Sequence, residues 1–190
     1  MTLYALILFS HIFSAFFLFG GLALEWLCLN YLRRSSDRLQ ADPWIPWIHL
    51  ARTAPRFYGP ALGVVLFSGG YLASKRGGNQ GWILVSMVTL LLVGLIGAVV
   101  TGPRVRGIWK IAKEPAGRTS TPLQNSLNDP VLLTSVRLRS ALVFGVLFLM
   151  VSKVDLRPSL VAIGCAAVLG LVIAIPAWRR AAVHGAKASS

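Results

Sequence analysis

The sequence predicts an all-α integral membrane helical bundle with five transmembrane helices, the N-terminus outside and the C-terminus cytoplasmic. Three observations carry that expectation. Five apolar stretches follow one another along 190 residues. Hydrophobic residues make up 55% of the chain and mean hydropathy is +0.68, more apolar surface than a soluble domain of this size needs, so the bilayer is the solvent. Finally, Lys and Arg fall mostly in alternate connections, 15 on the side assigned to the cytoplasm against 4 on the other, which sets the orientation.

Span one runs from about Leu3 to Leu24. Its 22 residues carry no formal charge and rise roughly 33 Å, enough to cross a hydrocarbon core of about 30 Å. The start MTLY lacks a basic leader region, so this run reads as a span rather than a cleavable signal. Arg33, Arg34 and Arg38 stop the helix. Residues 43–57 mix Trp44, Trp47 and Phe57 with Arg52 and Arg56 and read as an interfacial segment. Span two, 58–74, is short and glycine-rich. Gly59 and Gly63 form a small-xxx-small pair that predicts close helix packing inside the bundle.

Span three is 81–101, opened by Trp82 and closed by Gly102-Pro103; residues 104–113 read as a second interfacial helix and 115–129 as a polar loop. Span four, 131–152, begins with Asp129 as N-cap and Pro130 at the first helical position. Span five is 159–178, and 181–190 reads as a disordered tail. One bundle, residues 1–180, uses the whole length.

The net charge of +13 might suggest nucleic acid, but its placement between spans points instead to anionic lipid headgroups at the cytoplasmic face. No HExxH, P-loop, GxSxG or paired-cysteine motif occurs. Cys28 and Cys165 lie in or beside apolar runs and read as buried thiols.

The chemistry-bearing residues are few. His11, Ser14, Ala15, Leu18, Leu22 and Glu25 lie along one stripe of span one at 100° per residue, and a stripe with polar members should face the bundle rather than lipid. His11 can serve as a structural hydrogen-bond donor to a neighbouring helix, as an axial ligand to a haem b iron, or as a quinone site. Met87, on span three, has matching depth and is the candidate second ligand, with five-coordinate haem the equal alternative. Glu25 sits at the inner end of span one, about 21 Å from His11 by helical rise. Arg137 and Arg139 fall at the inner end of span four, where at least one needs a partner. The expected arrangement is an ion pair of Glu25 with Arg137 or Arg139. With Arg56, these arginines could also hold an anionic group such as a lipid phosphate.

The run 10–34, SHIFSAFFLFGGLALEWLCLNYLRR, resembles the opening of a family of predicted bacterial integral membrane proteins, DUF2269, with an early histidine (His11), a Gly-Gly pair (Gly20, Gly21) and a basic end (Arg33, Arg34). It is more distantly similar to copper-resistance D-type membrane domains and to the membrane-bound protoporphyrinogen oxidase, which share an early-helix histidine. The oxidase pattern also wants a lysine within a later span, and Lys75 stands only at the end of span two. The resemblance implies a topology rather than a reaction. The leading expectation is therefore a small bacterial inner-membrane protein binding haem b or quinone near His11 in a redox role, beside a protein partner. The alternative is a non-catalytic structural or accessory subunit of a larger membrane complex, and an enzyme of haem oxidation is the third reading.

Overall fold

The computed structural model describes residues 2–35, 45–75, 80–113 and 120–188. Several expected features lie outside them: Arg38, Pro43 and Trp44 of the first connection, Arg76, and Arg118 with the start of the polar loop. The described residues form helices and no strand: α1 (Leu3–Ser35), α2 (Ile45–Lys75), α3 (Gly81–Ile96), a π-helical segment (Gly97–Thr101), α4 (Gly102–Ala112), α5 (Ser120–Leu127), α6 (Pro130–Ser152) and α7 (Leu156–Ala188). Five stretches are long and apolar enough to cross a membrane, beginning at Leu3, Ile45, Gly81, Pro122 and Leu156.

Several boundaries differ from the sequence reading, each for an identifiable reason. The interfacial segment 43–57 and span two are one helix from Ile45. Its buried residues Ile48, Ala51, Ala54, Tyr58, Ala61, Val65 and Ser68 recur every three or four positions across the expected break, and that continuous stripe outweighs Pro55 and Pro60, which membrane helices tolerate. Residues 104–113 likewise continue span three as α4, because Val105, Ile108 and Ala112 are drawn into the core. Within the expected polar loop, Leu123 and Leu127 are almost fully buried, and their i, i+4 spacing shapes α5. The expected tail is helical to Ala188, as suits an alanine-rich continuation of α7.

Neighbouring spans run antiparallel. His11 meets Ser68 and Gly21 meets Tyr58 between α1 and α2. Gly94 meets Leu62 between α3 and α2, and Gly170 meets Leu138 and Ala141 between α7 and α6. At Gly21 a Cβ would fall 2.7 Å from the Tyr58 Cβ, so the α1–α2 crossing requires glycine there. The expected Gly59–Gly63 contact is not made. Nothing lies within 4 Å of a Cβ at either position, and Gly69 and Gly70 make the close approaches instead, to His11 and Met87. Asp129 caps α6 as expected, its Oδ1 accepting from the Val131 N–H at 2.9 Å. Cys28 is buried, but Cys165 is exposed on the outer face of α7.

The core is divided. One apolar cluster gathers Leu18, Leu22, Ala61, Val65, Leu90, Val93, Leu142 and Val146. A second gathers Cys28, Leu29, Leu32, Ile48, Val105, Ile108, Leu123 and Leu132. On α1, α3–α4 and α6 the positions between these two sets include Glu25, Thr101 and Arg139, while Tyr58 of α2 belongs to the first set itself.

Candidate functional sites

The stripe of α1 faces inward: Ser14, Leu18, Leu22 and Glu25 are all buried. It carries two separate polar sites, one toward each end of the bundle.

The first surrounds His11. Its Nδ1 lies 2.9 Å from the Ser68 Oγ on α2. The Ser68 hydroxyl donates to the Val64 carbonyl one turn earlier, so it receives the Nδ1 proton. This assigns the Nδ1–H tautomer and leaves Nε2 as the acceptor nitrogen. Gly69 makes room for the imidazole, since a Cβ there would stand 3.2 Å from Cε1. His11 lines a mostly apolar cavity of about 240 Å³ walled by α1, α2, α3 and α6, with Met87, Leu90 and Met150 inside and Tyr4, Trp82 and Lys153 among the remaining lining. Lys153, the C-cap of α6, holds φ 48° and ψ 42°, a left-handed conformation that normally favours glycine. Ser86 belongs to the same wall. It is 4% exposed, and its Oγ has no hydrogen-bond partner among the described residues.

The second site lies between the two apolar clusters. Arg139 on α6 and Glu25 on α1 are each 1% exposed. Arg139 Nη1 donates to Glu25 Oε2 at 3.3 Å and to Thr101 Oγ1 at 3.2 Å. Arg139 Nη2 donates to the Tyr58 hydroxyl at 2.7 Å, and that hydroxyl donates in turn to Glu25 Oε2 at 2.8 Å. The Ser135 hydroxyl donates to the Leu132 carbonyl, so Thr101 donates to Ser135 Oγ at 3.1 Å. Four spans thus meet at one guanidinium.

The π segment makes this geometry. Inward positions Val93, Gly97, Thr101 and Val105 recur every four residues, slower than the 3.6 of an α-helix. A wider turn keeps all four facing the core, and the Gly102 N–H accordingly bonds back to the Gly97 carbonyl. Gly97 then lies under the guanidinium, where a Cβ would be 3.0 Å from Cζ.

The structure therefore brings His11 and Met87 to one cavity and Glu25 and Arg139 to one cluster. It does not gather the other two arginines. Arg137 donates to the Ile173 carbonyl on α7 at 2.7 Å, three residues before Pro176, where the helix ladder is interrupted. Arg56 is exposed, two residues from Tyr58 and so on the opposite face of α2. The three-arginine anion site is not formed, and Arg139 is committed to Glu25, Tyr58 and Thr101. Glu25 stands ten residues before the end of α1 at Ser35, in keeping with the expected stop at Arg33 and Arg34. Sequence reading missed Ser68, Ser86, Tyr58, Thr101 and Ser135. The buried stripe of α2 pointed to Tyr58, and the four-residue spacing after Val93 pointed to Thr101. Ser86 had no such signal.

Comparison with known proteins adds a family. The chain matches a family model described as "Predicted integral membrane protein (DUF2269)" over residues 5–154, a stretch that includes every residue named in both sites except Tyr4 and stops before α7. No curated protein and no solved structure matches.

Proposed function

We propose that this chain, which belongs to the DUF2269 family of predicted integral membrane proteins, binds the head group of a quinone-class redox carrier in the His11 cavity. The observation that carries this reading is the pairing of His11 with Ser86, which has no partner among the described residues, on the walls of one mostly apolar chamber. A quinone ring is flat and apolar, with oxygens that accept hydrogen bonds when oxidised and donate them when reduced. Nε2 of His11 suits a quinol hydroxyl, and the Ser86 hydroxyl donates or accepts as the redox state requires. The Ser68 bond holds the imidazole in the tautomer this needs.

Haem b between His11 and Met87 fits less well. The cavity, about 240 Å³, falls below the roughly 300–1,000 Å³ of ordinary ligand sites, which favours a single ring over a porphyrin. In the orientation set by basic residues, the cavity opens on the outer side of a bacterial inner membrane. Arg52 and Lys113, which flank the Trp109 ring at 5.1 and 5.0 Å, then meet anionic headgroups on the cytoplasmic side.

Trp82 lines the cavity and provides the test. A short-chain naphthoquinone should quench its fluorescence saturably in nanodiscs, and His11→Ala should abolish the saturable part. Quenching that is linear in quinone, or unchanged in Trp82→Phe, would end this reading. A Soret band lost in His11→Ala would replace quinone by haem.

A second reading, an accessory subunit of a larger membrane complex, is favoured by the outward-facing Gly59 and Gly63, since an exposed small-xxx-small pair suits a partner helix. It predicts a larger assembly on native gels that is lost when both glycines become isoleucine.

A further inference from the structure

The polar layer between the two apolar clusters has two unmatched atoms. Glu25 Oε1 and Arg139 Nε are both buried, and neither has a hydrogen-bond partner among the described residues. They are opposite in kind: one carries lone pairs, the other a proton. They belong to side chains already joined by the 3.3 Å bond between Nη1 and Oε2. Leaving either unsatisfied carries the desolvation penalty of a buried polar group, larger still for a charged one. Native interiors meet such pairs of needs with ordered water, which binds where a site offers two to four polar partners.

The local backbone lets the two side chains meet. Gly97 faces the guanidinium, and a Cβ there would stand 3.3 Å from Nε. The absent side chain lets the guanidinium lie close against the π turn with its unmatched N–H beside Gly97.

We infer that the Glu25–Arg139 layer is an internal hydration site, holding a water that accepts from Arg139 Nε and donates to Glu25 Oε1. The site is independent of the quinone reading. Its consequence is chemical as well as structural. Glu25 Oε2 is committed to Tyr58 and Arg139, so the water gives the carboxylate its one mobile hydrogen-bond partner. The layer thereby becomes a place where a proton can exchange within the bundle.

Pulsed X-ray hydroxyl-radical footprinting of the full chain in nanodiscs tests this, because bound water generates radicals where it sits. Tyr58, 7% exposed, is the reporter and Tyr31, 44% exposed, the internal standard. Tyr58 should be oxidised despite its burial. Gly97→Ala, whose Cβ would press on the guanidinium and shift its Nε, should remove that oxidation, while Glu25→Gln, whose amide NH2 in the Oε1 position still hydrogen-bonds the water, should retain it. An unreactive Tyr58 in the wild-type chain overturns the inference, as does oxidation that Gly97→Ala leaves unchanged. If Gly97→Ala does not fold, a high-resolution density map of the wild-type protein decides. A peak about 2.7–3.2 Å from both atoms supports the water, and direct Oε1–Nε contact or an empty gap refutes it.

Discussion

His11 and Glu25 sit on one face of α1, about 21 Å apart by helical rise, yet the bundle treats them differently. Around Glu25 four spans converge, and an arginine, a tyrosine and a threonine are aimed at one another with both ends of the layer sealed by apolar clusters. Around His11 the walls are mostly apolar, a cavity stays open, and the imidazole is hydrogen-bonded to Ser68 of α2. The first arrangement fixes helices relative to one another. The second leaves an acceptor nitrogen and a serine hydroxyl for something outside the chain. On the proposed reading one stripe serves cohesion at one end and recognition at the other, and the distinction lies in how completely each polar group is matched.

The largest effect that separates the two ends should come from Glu25→Ala or Arg139→Ala. Either leaves a buried charge without its partner, at a cost of about 3–5 kcal/mol, read as a fall in Tm in detergent. The double variant should lose much less than the sum, because one interaction is removed twice. Additive losses would show that the two residues do not act as a pair. Next comes Gly21→Ala, whose new Cβ would press on Tyr58; overpacking of this kind costs about 1–3 kcal/mol. The same change at Gly59, where nothing lies within 4 Å, should leave Tm unchanged.

A smaller loss is expected from Asp129→Ala. It removes the N-cap of α6 and the 2.8 Å bond from Arg104, for about 1 kcal/mol. Arg104→Ala should cost less, because the pair is partly exposed. His11→Ala should have the mildest effect on folding, about 1 kcal/mol or less for the lost Ser68 bond. A large drop in Tm from His11→Ala alone would erase the contrast between the two ends.

Much of the architecture was legible beforehand. The five apolar runs, the inward stripe of α1 and the Asp129-Pro130 helix start follow from hydropathy, periodicity and capping, which are local properties. The differences lie where composition is a poor guide to position. Trp47, Arg52 and Phe57 look like an interfacial segment, but Ile48, Ala51, Ala54 and Tyr58 pack as one helical face. Glu25 looked like the end of a span because charge usually marks one. It lies instead between two apolar clusters, stabilised by groups on three other helices that no local pattern links to it. The choice of Arg139 over Arg137 was equally hidden, because it depends on the rotation of α6 against α1 and α7. At the cavity, His11 and Met87 were matched by depth along their helices, whereas Ser68 and Ser86 gave no warning, since a serine in an apolar helix is commonplace until its neighbours are known.

The central claim is that recognition belongs to the His11 end and cohesion to the Glu25 end. The most direct test is the Tm increase produced by a saturating short-chain quinone in the wild-type protein, His11→Ala and Glu25→Gln. The increase should vanish in His11→Ala and persist in Glu25→Gln, although the latter starts from a lower Tm. An equal increase in His11→Ala and the wild type would contradict the assignment.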